Sequence, residues 1–388
     1  MSATPSIVIG KEGFGIKDGS LLGYYRADDG IYVARQFTAT RGGGTNGTFV
    51  NSSGLIEVAA SPNLPRIDFS SGSKAVLIEP AATNFARNVQ FMTGQDIPAA
   101  SGGMTITTGS TDFLAPDGTS GSITKYVGGA ASGGVQYAYF SGGNITVTAS
   151  GQHTFSLFVK AGTTNPLNFC AIRFSQFIGG SGTSISYFSL ASGTALTAGA
   201  SIQDYGNGWY RLISAPYTIA SGDLAGNVIF YQAEGNIDVN FPASGALDLT
   251  AYTWGAQVET GAVATSYIPT TTGTITRNAD VITLANASEY IGQTEGTLYA
   301  EVDVRTFTNT GVFLSISDGT SSNRIQIYKF TNGQIYADRI SATQSALTSI
   351  TTNVLSAGIY KVAFAYDSGN SALFINGCLL YTSPSPRD

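Results

Sequence analysis

The sequence predicts an all-β fold built of antiparallel sandwiches, and three observations predict it. Apolar and polar residues alternate with period two through most of the chain, helical periodicity is nearly absent, and glycine-rich breakers separate the alternating runs. In TLYAEVDV, Leu298, Ala300, Val302 and Val304 face one way while Tyr299, Glu301 and Asp303 face the other, as a half-buried strand requires. The same alternation runs through TFSLFVKA, WYRLIS, NVIFYQA, RIQIYKF and YKVAFAYD. The breakers SGGN, GGSG, DGTSSN and TNG supply the positive φ that turns need. Many short strands with closely spaced turns fit sandwiches better than any helical or mixed architecture.

Taken in order, residues 1–84 are glycine-rich and irregular, ending in the extended PRIDFSSGSKAVLIEP. Residues 85–272 hold the first dense set of strands and close on TSYIPTTTGT, whose proline and threonines suit a linker. Residues 273–295 read as linker and first strand, and a second strand set runs over 296–377. About 80 residues is short for a sandwich of the larger kind, so this last domain is expected to lack strands and to leave an apolar sheet face uncovered, on the side of Val362, Phe364 and Tyr366 or on its opposite.

The end of the chain, CLLYTSPSPRD over residues 378–388, differs from everything before it. Read back through the genetic code, it matches the common adapter of transposase-based sequencing libraries. It is therefore expected to be translated adapter, exposed and without regular structure, with its two prolines opposing any strand.

Composition narrows the function. Charged residues make up 11% of the chain, with 48 glycines, 21 Phe and 20 Tyr, which excludes a highly charged disordered protein and supplies ample core. The net charge of −6, without clustered Lys and Arg, argues against a nucleic-acid partner. No run approaches the ~18 apolar residues of a membrane span, so membrane insertion is not expected. MSATPSIVIGKEGFG has no basic flank followed by a long apolar run, so no signal peptide is expected there. With Cys378 assigned to the tail, Cys170 in LNFCAIRF stands alone and reads as a small buried hydrophobe. The one histidine, His153 in GQHTFSLFVKAG, reads as an edge or loop residue.

Several stretches carry a resemblance. FTATRGGGTNGTFVNSSGLIEVAASPNLPRIDF followed by LIEPAATNF resembles the N-terminal segment of tail-fibre and head-fibre proteins of phages and prophages. APDGTSGSITKYV, TFSLFVKAG, YGNGWYRLI and YTWGAQVETGAVATSYIPTTTGTITRNADV are similar to the carbohydrate-binding-like jelly roll of the same proteins. EGTLYAEVDVRTF, SNRIQIYKFTNGQIYA and AGIYKVAFAYDSGNSALFING resemble the first part of a concanavalin-like, laminin-G-like sandwich. The resemblance implies a jelly roll, an incomplete concanavalin-like sandwich, and a non-enzymatic virion protein, released by lysis, that adheres to host cell-surface glycans beside other virion proteins. By analogy with fibres it also implies a homotrimer. A glycan depolymerase and a bacterial surface adhesin are the alternatives.

A glycan-binding face needs aromatic rings beside amides or carboxylates, because a sugar presents apolar CH faces and a rim of hydroxyls. In VQYAYF, Tyr137 and Tyr139 share a face; in IFYQAEGN, Tyr231 stands beside Gln232, Glu234 and Asn236. These six are the candidate site, against core tyrosines whose phenols reach the rim. Trp209 alternates with Arg211 and Ile213, and Trp254 with Tyr252, Ala256 and Val258; both tryptophans read as core. The acids of Glu301-Val-Asp303 point to one side, as in some concanavalin-like glucanases, but the next residue in phase is Arg305, so a solvated strand face is expected. Asp117 in APDGTS is first of all a turn residue, although it could lend an oxygen to a structural Ca²⁺; no other cofactor is expected. Neither RGGGTNGT nor GGSGTS has the lysine spacing of a phosphate loop.

Overall fold

The computed structural model describes residues 22–25, 32–35, 38–42, 47–87, 100–101, 103–129, 134–135, 137–235, 237–241, 248–271, 273–286, 292, 294–307, 309–341, 344–350, 353–367 and 371–382. Every regular element among them is a β-strand, as the alternation predicts. The chain divides into two compact units, one of Ala39–Ser73 and Leu77–Val281, the other of Met1–Thr38, Lys74–Val76 and Ile282–Asp388.

The larger unit is a two-sheet sandwich. One sheet runs Thr105–Ser110, Ile123–Val127, Thr250–Thr260, Gly151–Ala161, Trp209–Ile213, Ser201–Asp204, with Tyr217–Ile219 and Ser181–Gly182 joined beside it. The other runs Thr194–Ala195, Ile185–Ser189, Phe169–Ser175, Ala225–Ala233, Tyr137–Thr146, Ala100–Ser101. Alternation turns Phe155, Leu157 and Val159 of the first sheet toward Cys170, Ile172, Val228 and Phe230 of the second, forming the main core. Cys170 is fully buried there, and burial raises its thiol pKa well above the ordinary range, so it packs as a hydrophobe.

The back of the first sheet carries a second core of Phe158, Trp209, Tyr252, Trp254 and Tyr267 with Ile56, Ala115 and Ile123. Both tryptophans are buried, and the Trp209 indole N–H donates to the Leu114 carbonyl at 2.9 Å. One expectation changes here. Phe158 pairs with Trp254 but Ser156 pairs with Gln257, so Gly255 and Ala256 together face one residue in a β-bulge. The bulge reverses the alternation: Tyr252 and Trp254 face the second core, whereas Ala256 and Val258 face the main one. Gly255 sits at φ +61°, and a Cβ there would lie 3.0 Å from Phe158 and 3.1 Å from Tyr267.

The segment ending at residue 84 is joined to the sandwich rather than separate from it. Ile275–Arg277 pairs with Ala82–Asn84, and the Asn84 amide donates to the carbonyls of Ala256 and Ile268 while its oxygen accepts from the backbone N–H of Val258. Arg41, Arg66 and Arg277 then converge on Glu79 and Asp280 in the interior. Arg41 meets Asp280 at 3.0 Å, Arg66 meets Glu79 at 2.9 Å and also pairs with Asp280, and Arg277 lies 3.5 Å from Glu79. The Glu79 carboxylate also accepts from the N–H and hydroxyl of Ser266, both at 2.7 Å. Burial would raise the Glu79 pKa, but Arg277 and Arg66 hold it below the usual carboxylate range. These contacts tie Arg41, Arg66 and Glu79 to Arg277 and Asp280, about 200 residues further along, within the compact unit of Ala39–Ser73 and Leu77–Val281. Gly47, in RGGGTNGT, serves this cluster: at φ +74° its missing Cβ leaves room for the three arginine stems, the nearest at 3.1 Å.

In the smaller unit, a sheet ordered Gly296–Val304, Gly358–Tyr366, Ala372–Ile375, Cys378–Thr382 packs on one ordered Gly311–Ser317, Arg324–Lys329, Ile335–Ser341, Gln344–Ile350. Their shared core contains Val362, Phe364 and Tyr366, so the face expected to lie open on that side is covered. The tail also departs from expectation over 378–382, which pairs with Ala372–Ile375, Leu380 packing on the core. Asn376 (φ +50°) and Gly377 (φ +83°) make the hairpin turn, and once a turn of this kind reverses the chain, backbone pairing needs no particular side chains. Residues 383–388 lie outside the described residues.

Both tryptophans belong to the larger unit, so their fluorescence follows that unit during urea unfolding. Asp280→Asn should cost about 3–5 kcal/mol by leaving buried guanidinium charge uncompensated. Gly255→Ala should cost about 1–3 kcal/mol through left-handed strain and crowding. An unchanged midpoint for either variant would contradict the corresponding account.

Candidate functional site

Of the expected glycan residues, Tyr231 and Gln232 fall on opposite faces of their sheet. Within Ala225–Ala233, alternation sends Tyr231 to the outer face of its sheet and Gln232 into the sandwich, where it is fully buried and donates to the Leu249 carbonyl at 2.9 Å. Gln232 therefore cannot share a ligand with Tyr231. Tyr231 itself is 6% exposed, packed with Ala171 and Ile229 under Val239, its hydroxyl 3.4 Å from the Arg173 guanidinium. Glu234 is exposed. Tyr137 and Tyr139 stand opposite Tyr231 and Ile229 in strand register, but their side chains, like Asn236 as a whole, lie outside the described residues.

His153 is not at an edge. It lies between Thr260 and Tyr217 on neighbouring strands, fully buried. Its Nδ1–H donates to the Gly151 carbonyl at 3.0 Å and Nε2 accepts from the Thr260 hydroxyl at 3.2 Å, which suits the neutral ring; burial lowers its pKa. Asp117 accepts from the N–H and hydroxyl of Thr119 at 3.0 and 2.7 Å, a turn, and no group of three metal-ligating residues occurs among the described residues. Glu301 and Asp303 are exposed on their strand, and Asp303 pairs with Arg305 at 2.6 Å.

The arrangement best suited to a sugar lies in the smaller unit, on the hairpin RIQIYKFTNGQIYADRIS. Ile325, Ile327, Ile335 and Ala337 enter the core, which turns Arg324, Gln326, Tyr328 and Phe330 outward on one strand, and Gln334, Tyr336 and Asp338 on the other. Tyr328 faces Tyr336 across the strands, the rings stacked with centroids 5.4 Å apart, and Phe330 meets Tyr336 edge-on at 5.9 Å while remaining 44% exposed. At the turn, the Asn332 amide donates to the Tyr336 hydroxyl at 2.6 Å and to Gln334 Oε1 at 2.7 Å, and the Tyr336 hydroxyl donates to Gln334 at 3.0 Å. Burial pushes the Tyr328 phenol pKa up, and the Asp338 carboxylate adds to the effect, so the Tyr328 phenol is neutral at physiological pH.

An exposed ring beside two amides and a phenol offers an apolar stacking face next to hydrogen-bonding groups. The signal was present in the sequence as a period of two: every even position from 324 to 338, the turn residue Asn332 included, is polar or aromatic, on two strands joined by Thr-Asn-Gly.

No protein-family model matches the chain, and no curated protein matches it. Among the described residues no helix is long and apolar enough to cross a membrane.

Because His153 is neutral when folded and its pKa is depressed, the unfolded chain binds more protons below about pH 6.5, and stability should fall as pH drops from there. The loss is at most about 1.4 kcal/mol per pH unit. His153→Gln should flatten this dependence between about pH 5 and 6.5 in urea titrations; a parallel curve for the variant would show that His153 is not the titrating group.

Proposed function

We propose that the protein is a non-enzymatic, fibre-type virion adhesion protein that binds glycans on the host cell surface. The observation that supports this best is the Phe330–Tyr336–Asn332–Gln334 cluster, an exposed aromatic ring beside amide and phenol hydrogen-bonding groups on a rigid hairpin. The phage-fibre resemblance of the 37–281 region supports the same reading, including a jelly-roll topology for the larger sandwich and a concanavalin-like one for the smaller. Location on the virion, alongside other virion proteins, follows from that resemblance.

The energetics of such a site favour several copies. A shallow sugar site with a millimolar dissociation constant supplies only about 4 kcal/mol. Linked sites raise avidity by ~10² to 10⁴, which suits a homotrimer.

Affinity electrophoresis of the full chain through gels containing host lipopolysaccharide or capsular polysaccharide tests the reading. Retardation is expected, with Phe330→Ala and Tyr336→Ala each weakening it by about tenfold, the loss of roughly 1.4 kcal/mol of stacking and hydrogen bonding. Phe330 is exposed enough that its variant should keep the wild-type melting temperature. Release of reducing ends from these polymers would favour the depolymerase instead, and absence of retardation by every polymer would end the adhesion reading.

A further inference from the structure

Beyond the aromatic cluster, the same outward ladder carries a second polar group that the adhesion reading does not use. Two residues further along the hairpin, Gln326 stands opposite Asp338, and then Arg324 opposite Ile340. Asp338 is 3% exposed, and its Oδ2 accepts from Arg324 at 3.3 Å and from Gln326 at 3.2 Å. Its Oδ1 is buried and has no hydrogen-bond partner, and neither has the buried Nε of Arg324. A carboxylate oxygen left in that state costs free energy that a donor reaching it would recover. Arg324, a quarter exposed, is the partner of this carboxylate that reaches solvent. The neighbouring strand places only Ser315 and Ser317 opposite Gln326 and Arg324, both exposed, so nothing bulky flanks the Gln326–Arg324 stretch on that side.

From these features we infer that the hairpin face is one extended site for a neutral polysaccharide chain, with Asp338, Gln326 and Arg324 forming a second subsite that receives sugar hydroxyls. The inference rests on the glycan-adhesion reading and specifies its ligand. Phe330 to Arg324 spans about 20 Å of strand, long enough for several pyranose rings in line. The face carries one acid and one base, Asp338 and Arg324, and they are paired with each other. The other cations of the hairpin point off the face: Lys329 is bound to Asn309, and Arg339 donates to the Asp367 carbonyl at 2.6 Å. A polyanion would therefore find no unpaired cation on this surface, whereas vicinal hydroxyls can donate to Asp338 and accept from Gln326 and Arg324 together.

The test uses the full chain in affinity gels containing dextran, laminarin or mannan as neutral probes and alginate or polygalacturonate as acidic ones, followed by calorimetry with the disaccharide and hexasaccharide of whichever polymer retards it. Expected is retardation by a neutral polymer that changes less than twofold between 50 and 500 mM salt, and a hexasaccharide at least tenfold tighter than the disaccharide. Asp338→Asn and Gln326→Ala should remove that gain with chain length while leaving disaccharide affinity within twofold. Should Asp338→Asn fail to fold, Gln326→Ala decides alone. Retardation by acidic polymers only, or equal losses for disaccharide and hexasaccharide, would overturn the second subsite and leave adhesion standing. No retardation by any of these polymers overturns the neutral-chain site; if host lipopolysaccharide and capsule also fail to retard the chain, the adhesion reading falls with it.

Discussion

The larger unit depends on the buried meeting of Arg41, Arg66 and Arg277 with Glu79 and Asp280. Ions taken out of water must find partners or neutralise, and here Arg41 and Arg66 meet Asp280, and Arg277 meets Glu79, about 200 residues apart in sequence. The N-terminal stretch around Arg41 and Arg66 has only short strands. Its attachment comes through charge, through Ile56 in the second core, and through Asn84, whose amide and oxygen substitute for a strand neighbour along Ala256–Val258. The glycine at position 47 suits this geometry, since a side chain there would press on the stems of Arg277 and Arg66 and strain a backbone at φ +74°.

A second constraint is the bulge at Gly255. One extra residue divides the Thr250–Thr260 strand into two stretches of opposite phase, so that a single strand serves two cores. Before the bulge it presents Tyr252 and Trp254 to the aromatic cluster around Phe158; after it, Gln257 and Glu259 continue on that side and organise the following turn. Glu259 accepts from the Thr265 N–H at 2.9 Å, and Gln257 Oε1 accepts from the Ile268 N–H at 2.6 Å. These contacts bring Ser266 to Glu79, which joins the bulge to the ion cluster. The two features thus support each other within one unit.

The smaller unit shows how a plain alternating hairpin can acquire a surface of its own. Its inward residues are Ile and Ala, and its outward residues form a cross-strand ladder of aromatic, amide and charged groups in direct register. Cross-strand pairing fixes the Tyr328–Tyr336 stack, the turn fixes Asn332 and Gln334, and Asp338 holds Arg324 and Gln326. Rigid strands position these groups more firmly than loops would.

The sequence by itself determined the all-β class, the burial of Cys170, Trp209 and Trp254, and the solvated placement of Glu301 and Asp303, because period-two alternation and turn residues act locally and are readable wherever they occur. Tertiary structure alone decided the rest. His153 looked like an edge residue until strands on both sides enclosed it. Gln232 looked like a partner of Tyr231, although strict alternation within the same strand already opposed it, and the sandwich then buried it. The phase change at Gly255 could not be read from its neighbours, since a bulge is defined by the register of a partner strand about 100 residues away. The ion cluster was equally hidden: single arginines and acids dispersed along a chain look like surface charge. Only long-range packing shows which of them are removed from water and must therefore be paired.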